Sequence, residues 1–196
     1  MRLVLASTSA ARRAMLASAG LSFEAAAPGT DEEAAKARLL AKGASPLKVA
    51  EMLAAMKAVE VSEREPGLVI GADQTLDLDG ELIGKAHDLE EARYRLYQLR
   101  GRSHRLHSAV VAAEAGQPVW RASDSATLSV RVFSEDFLDG YLERNGERLL
   151  GSVGCYQLEG EGAQLFDTVE GDYFTILGMP LLPLLGFLRK RGVLPE

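Results

Sequence analysis

The sequence predicts an α/β protein with a mixed, largely antiparallel twisted sheet and flanking helices. Three observations carry that expectation. Leu3-Val4-Leu5-Ala6 is a short apolar run that gives way at once to a polar loop and a helix start. Leu68-Val69-Ile70-Gly71-Ala72 is a continuous apolar run of the kind that forms a buried strand. Arg105 to Ala113 and Val119 to Phe133 read as two long antiparallel strands, and in the second Ala126, Leu128, Val130 and Val132 alternate with Ser125, Thr127, Ser129 and Arg131. A chain of 196 residues, 47% hydrophobic and 26% charged, can bury a core of its own. No internal repeat or low-complexity linker divides it, and only a faint boundary near Gly101 interrupts a single domain over residues 1–196.

The first twenty residues hold the strongest local signal. Ser9 is a good N-cap, Ala10 to Ala19 favour a helix, and Gly20 supplies a stop. Arg12 and Arg13 then fall in the first turn, where the positive end of the helix dipole repels cations. An anion would resolve that conflict. Free backbone N–H groups, the hydroxyls of Ser7 and Ser9 and two guanidinium forks make a phosphate site. Two solvated surface arginines give the same pattern, and the pair alone leaves both readings open.

Leu21 to Pro28 reads as a short strand, and Thr30 as the cap of a helix through Asp31-Glu32-Glu33 to Lys42-Gly43. Glu32 has a plain structural use there, because acidic residues in a first turn complement the dipole. Ser45-Pro46 starts a second helix, with Leu47, Val49, Met52, Leu53, Met56 and Val59 as its buried stripe. Lys57 lies at the border of that stripe, where lysine stems commonly cover apolar surface.

The strand from Leu68 ends in Gly71-Ala72-Asp73, which presents a carboxylate where it emerges. Asp79-Gly80 signals a hairpin, with Glu81 to Lys85 as the return strand. A two-residue turn pairs Lys85 with Gln74 and sends the lysine to the face opposite Asp73. A three-residue loop pairs Leu78 with Leu82 and Lys85 with Thr75, on the face of Asp73. Pairing two leucines favours the three-residue loop.

Beyond the hairpin the chain reads mainly as scaffold. Asp88 and Glu91 form a capping-box variant for a helix to Leu99, with Leu89, Ala92, Leu96 and Leu99 inward. His104 and His107 are three apart on a strand, point to opposite faces, and do not share a metal. Nothing resembles a serine or cysteine triad. Ser134 caps a helix with Phe137, Leu138, Tyr141 and Leu142 inward, ending near Asn145-Gly146. Gly151, Gly154, Gly160 and Gly162 then mark a loop that is either flexible or built for close approach of a ligand. Gln164 to Glu170 and Tyr173 to Leu177 read as paired strands around Gly171-Asp172, and Pro180 or Pro183 opens an apolar helix stopped by Gly192.

Composition excludes some classes of function. A net charge of −6 argues against a nucleic-acid polymer as partner. A lone cysteine, Cys155, leaves no disulfide or cysteine zinc cluster and fits the cytoplasm. The start lacks a signal-peptide run, and the leucine-rich end is broken by Gly178, Pro180, Pro183 and Gly186, so no membrane segment is expected.

Together the residues suggest one site. Arg12 and Arg13 can hold a polyphosphate, Glu32 and Asp73 can hold Mg²⁺ or orient a water, and Lys57 and Lys85 can neutralise developing charge. A carboxylate among four cations stays ionised and can take a proton from water. This is hydrolytic phosphoryl chemistry.

The chain also resembles the Maf-type nucleoside triphosphate pyrophosphatases over nearly its whole length. The motifs are Leu5-Ala-Ser-Thr-Ser-Ala-Ala-Arg-Arg13, Asp31-Glu32, Leu53-Ala-Ala-Met-Lys-Ala58, Ile70-Gly-Ala-Asp-Gln74, Ile83-Gly-Lys85, Leu99-Arg-Gly-Arg-Ser-His104, Gly154-Cys-Tyr-Gln-Leu-Glu-Gly160, Gly171-Asp-Tyr173 and Leu177-Gly-Met-Pro-Leu181. The resemblance implies a two-lobed fold around a central cleft, shared with inosine triphosphate pyrophosphatases, a divalent cation (Mg²⁺ or Mn²⁺), a homodimer and a cytoplasmic enzyme. It also implies attack of water on the α-phosphorus of a nucleoside triphosphate, releasing monophosphate and diphosphate. By that match Asp73 is the proton acceptor, while Ser9, Arg12, Glu32, Lys57 and Lys85 fall on phosphate and metal positions and Arg13 on a position that varies.

Two family prolines are replaced here, by Ala10 and Ala86, which loosens loops without removing a proton carrier. Base specificity in the family is associated with the positions of Ala11, Gln74 and Glu159. Gln74 and Glu159 look like the branch acting on 7-methyl-GTP; the branch acting on dTTP and UTP has threonine and glutamine there. Ala11 matches neither branch, which carry tryptophan or arginine, and implies a wider base pocket. Competing readings are a non-catalytic nucleotide-binding regulator of cell division and a phosphatase that removes the terminal phosphate.

Overall fold

The first strand, β1 (Leu3–Ala6), leads through a capped turn into α1 (Ala10–Ser18), and β2 (Glu24–Ala25) follows. Two helices, α2 (Glu32–Ala41) and α3 (Pro46–Arg64), precede the hairpin of β3 (Leu68–Leu78) and β4 (Glu81–Ile83). Next come α4 (Leu89–Leu99), the long pair β5 (Ser103–Glu114) and β6 (Gln117–Val130), and α5 (Glu135–Asn145). The chain finishes with β7 (Phe166–Glu170), a helical turn α6 (Tyr173–Ile176) and α7 (Leu181–Lys190). The structure, a computed structural model, describes residues 1–195.

The strands form one open sheet in the order β2-β1-β3-β5-β6-β7, with β4 on β3. β1 runs parallel to β2 and β3, and the remaining pairings are antiparallel. The mixed, largely antiparallel α/β architecture read from the sequence is therefore the observed one.

Alternation along the strands divides the core by face. On one face, Ala50, Ala54 and Ala58 of α3 pack against Ala109, Val111 and Ala113 of β5. These small side chains let the helix axis come close to the sheet. At Gly71 an added Cβ would stand 2.4 Å from Ala54 O and 2.5 Å from Ala58 N, so only glycine fits. On the other face two apolar clusters lie side by side. One joins Ile70, Ala72 and Val110 to Leu16, Leu184 and Leu188 of α1 and α7; Trp120 and Phe187 stack on its flank at 4.8 Å. The other joins Leu76, Leu106 and Leu128 to Leu96, Leu138 and Tyr141 of α4 and α5.

Several local expectations are corrected. The hairpin uses the two-residue turn, pairing Leu78 with Glu81, Asp77 with Leu82 and Leu76 with Ile83. Asp79 and Gly80 both have positive φ, 54° and 90°, matching the tight turn that fits strand twist, and turn chemistry overrides leucine pairing. The return strand stops at Ile83. Asp31, not Thr30, caps α2; Thr30 donates its hydroxyl to Glu60 at 2.9 Å. The α3 stripe is rotated toward Ala50, Ala54, Lys57 and Ala58, while Met52 is exposed. Leu89 is also exposed, and Arg95 takes an inward position on α4.

Near the end of the chain, Tyr173–Ile176 is helical, because Asp172 caps it by accepting from Thr175 N at 3.0 Å. The strand at Leu21 to Pro28 shrinks to Glu24–Ala25, and Gln164 and Leu165 lie in a 3-10 turn before β7.

Candidate active site

The sheet leaves a gap along one edge of β3. The β1 ladder ends at Ala6 opposite Gly71, and the β4 ladder begins only at Leu76 opposite Ile83. Asp73 and Gln74 lie in that gap, and neighbours alternate in direction, so Asp73 turns toward α3 and Gln74 toward the opposite face. A cleft of about 400 Å³ opens there. Its lining includes Ser7, Ser9, Ala11, Arg12, Glu32, Lys57, Asp73, Gln74, Lys85 and Glu159. All the site residues expected from the sequence except Arg13 thus share one cleft. Arg13 is exposed and donates to Thr8 O at 3.3 Å.

Local chemistry explains how each group arrives. Ser9 caps α1 by accepting from Arg12 N at 3.4 Å, and Ser7 Oγ accepts from Ser9 N at 3.1 Å. Arg12 Nε donates to Gly178 O at 2.9 Å, anchoring the guanidinium between α1 and the α6–α7 turn. Gly178 has φ 110°, a conformation suited to glycine. Burial pulls the Arg12 guanidinium below its ordinary value, opposed by Asp73 and Glu32, and it remains charged.

At the centre, Lys57 Nζ lies 2.6 Å from Asp73 Oδ1 and 2.8 Å from Glu32 Oε1. The side chains of Lys57 and Asp73 are only 6% and 7% exposed, so the ammonium is a buried bridge between helix and strand. Glu32 is more open. Partial burial pushes its carboxyl up, but the Lys57 hydrogen bond, with the charges of Lys57, Lys36 and Lys85, holds it below the usual range.

Lys85 reaches the cleft by a route the sequence did not indicate. The observed hairpin register, continued, would place it beside Gln74, but the ladder has already ended and the chain leaves the sheet at Gly84. Partial desolvation in the cleft and repulsion from Arg12 lower its ammonium, against the pull of Glu32.

On the other face of the gap, Gln74 Nε2 donates to Ile176 O at 2.9 Å, Thr175 O at 3.0 Å and Ser108 Oγ at 3.1 Å. With the amide nitrogen so engaged, Oε1 is the acceptor left to the cleft. Ala11 adds little bulk, and Glu159 brings a carboxylate on the glycine-containing loop. Tyr156 holds that loop to the sheet, its hydroxyl 2.6 Å from His104 Nε2 and its ring edge-on to Phe166. Lys36, Gly178 and Tyr156, to which the sequence assigned no role in the site, also line the cleft. Lys36 had a signal, since it lies one helical turn beyond Glu32.

Among the described residues no three His, Cys, Asp or Glu side chains form an all-protein metal cage. Glu32 and Asp73 converge on the Lys57 ammonium, each through one carboxylate oxygen. A magnesium-like cation, which takes one or two carboxylates and completes its shell with phosphate oxygens, fits such a pair.

Comparison with known proteins adds to this geometry. The family described as Maf-like protein matches residues 2–191. A protein of Caulobacter vibrioides named nucleoside triphosphate pyrophosphatase is 63% identical over 97% of this chain and 96% of its own. One of the same name from Granulibacter bethesdensis is 53% identical over 99% of both chains. A Brucella abortus protein named 7-methyl-GTP pyrophosphatase is 48% identical over 96% of both.

Proposed function

Because the chain belongs to the Maf-like protein family, we propose that its cleft hydrolyses nucleoside triphosphates to monophosphate and diphosphate. The observation that carries this reading is the Lys57 ammonium held between Asp73 and Glu32 in a cleft that also contains Arg12 and Lys85. Carboxylates set among these cations suit a polyanion whose hydrolysis needs both a proton acceptor and charge neutralisation.

In this reading Ser7, Ser9 and Arg12 hold the phosphate chain at the start of α1, and Lys57 and Lys85 flank the reacting phosphoryl group. Asp73 accepts a proton from the attacking water as the new P–O bond forms. The bond from the α-phosphorus to its bridging oxygen breaks, and Arg12 and Lys85 neutralise the departing diphosphate. A divalent cation, Mg²⁺ or Mn²⁺, would be held by Glu32 and Asp73 with phosphate oxygens, and would withdraw charge from the phosphates.

Gln74 Oε1 and the Glu159 carboxylate are acceptors on the base side of the cleft. They suit a base that displays neighbouring N–H donors, as the pairing edge of guanine or 7-methylguanine does. With Ala11 in place of a bulky side chain, other bases are accommodated as well. A cytoplasmic homodimer belongs to the same reading, and light scattering of the purified protein tests the dimer.

The decisive experiment is diphosphate release from a panel of nucleotides with Mg²⁺ or Mn²⁺, run beside Asp73→Asn. Release should fall about 10²–10⁴-fold in the variant if Asp73 is the general base. Orthophosphate as the first product would instead mark a terminal phosphatase. Tight binding with no release from any nucleotide would leave a regulator that senses nucleotides without turning them over.

A further inference from the structure

Lys85 sits two residues beyond the last ladder pair, Leu76 with Ile83, so no strand hydrogen bond fixes its backbone. Two side chains of α4 do that work instead. Arg95 donates through Nη1 to Gly84 O, and Glu91 Oε2 accepts from His87 N at 2.9 Å. The chain on either side of Lys85 and Ala86 is therefore tied to residues one helical turn apart. Those residues are tied to each other, Arg95 Nη2 to Glu91 Oε1 at 2.9 Å. Arg95 Nη1 also lies 3.3 Å from Val153 O, on the glycine-containing loop that carries Glu159 into the cleft. One guanidinium thus reaches both walls of the cleft.

Stability alone is a poor reason for this arrangement. The Arg95 side chain is 8% exposed, and its Nε has no hydrogen-bond partner. A buried ion pair with an unsatisfied donor commonly contributes less than apolar packing of the same volume. What an apolar side chain cannot do is hold two carbonyls from separate segments at fixed positions.

We propose that Glu91 and Arg95 are a positioning pair that sets Lys85 against the phosphates and couples its segment to the loop bearing Glu159. The proposal rests on the role given to Lys85 above. It predicts that Arg95 acts through Lys85, which a merely structural residue would not do.

The experiment is a double-mutant cycle on diphosphate release, comparing Arg95→Gln and Glu91→Gln in the wild-type and Lys85→Gln backgrounds, with thermal midpoints measured alongside. In the wild-type background each single variant should lose about tenfold or more in kcat, as expected for a misplaced catalytic group, and raise KM. In the Lys85→Gln background the kcat loss should shrink to about threefold or less, the mark of coupled sites. Arg95→Lys, with one ammonium in place of a fork, should not restore kcat. If Arg95→Gln fails to fold, Glu91→Gln, at a side chain about one-third exposed, carries the test. Folded variants with unchanged kcat, or with equal losses in both backgrounds, overturn the proposal. A Lys85→Gln enzyme with undiminished turnover would show by itself that the Lys85 reading has failed, and this role with it.

Discussion

Lys57 is the residue on which the site depends. Its ammonium is buried because two carboxylates meet it, and Asp73 is tolerated at low exposure for the same reason. Removing one partner of a buried pair leaves the other charge uncompensated. Lys57→Met should therefore cost about 3–5 kcal/mol, read as a lower urea midpoint with unchanged m-value. Lys85 supports a different prediction. Its ammonium is lowered by desolvation and by Arg12, so it loses its proton at a lower pH than an ordinary lysine. In the free enzyme kcat/KM should then fall on the alkaline side before pH reaches the ordinary lysine value. Lys85→Arg, which keeps its charge, should flatten that limb in a pH–rate profile.

Most of these residues could be read from the chain. Arg12 stood out because a cation in a first helical turn needs an anion, and Asp73 because a carboxylate follows an apolar run, although β3 does not end there but continues, largely buried, to Leu78. Lys57 did not stand out, since its position among apolar residues is also that of a lysine covering a core.

Among the elements, α3 and the hairpin show where local rules mislead. The large side chains at Met52, Met56 and Val59 draw the stripe to one side of α3, yet the face against the sheet is alanine. Close approach is what brings Lys57 onto Asp73, and Gly71 permits it. Gly71→Ala should drive α3 outward, destabilise by about 1–3 kcal/mol, and reduce diphosphate release by more than the loss of folded protein explains. Denaturant titration and specific activity, measured on the same preparation, check both parts. In the hairpin, Asp79 and Gly80 selected the two-residue turn through their positive φ, a preference stronger than a cross-strand leucine pair. At Tyr173–Ile176 an aromatic and β-branched run suggested a strand, but the Asp172 cap turned it into a helix.

Across the whole molecule, two apolar clusters occupy one face of the sheet, with Gln74 and Ser108 between them and α3 behind. His104 belongs to the wall of the second cluster. Its Nε2 meets Tyr156 OH, its Nδ1 is buried without a partner, and burial pushes its pKa down to about 4. In the unfolded chain a histidine titrates near 6.5, so between about pH 6.5 and 4 the unfolded state binds the extra proton. Stability should fall as pH drops through that window and be unaffected by this group above it. His104→Gln should be less stable than wild type at neutral pH and lose less on acidification, so thermal midpoints of the two should converge toward pH 4. No described helix is long and apolar enough to cross a membrane.

The sequence by itself determined the fold class, the order of most elements and the identity of nearly every charged group in the cleft. Those features follow from periodicity, capping and the cost of placing a cation or carboxylate where nothing answers it, all of which act over a few residues. Only the tertiary structure decided that β1 and β4 leave the edge of β3 open at Asp73, that alanines bring Lys57 onto it, and that Lys85 enters from beyond the hairpin. Each of these depends on where ladders end and how closely a helix can approach a sheet, and those distances are set by segments far apart in the chain.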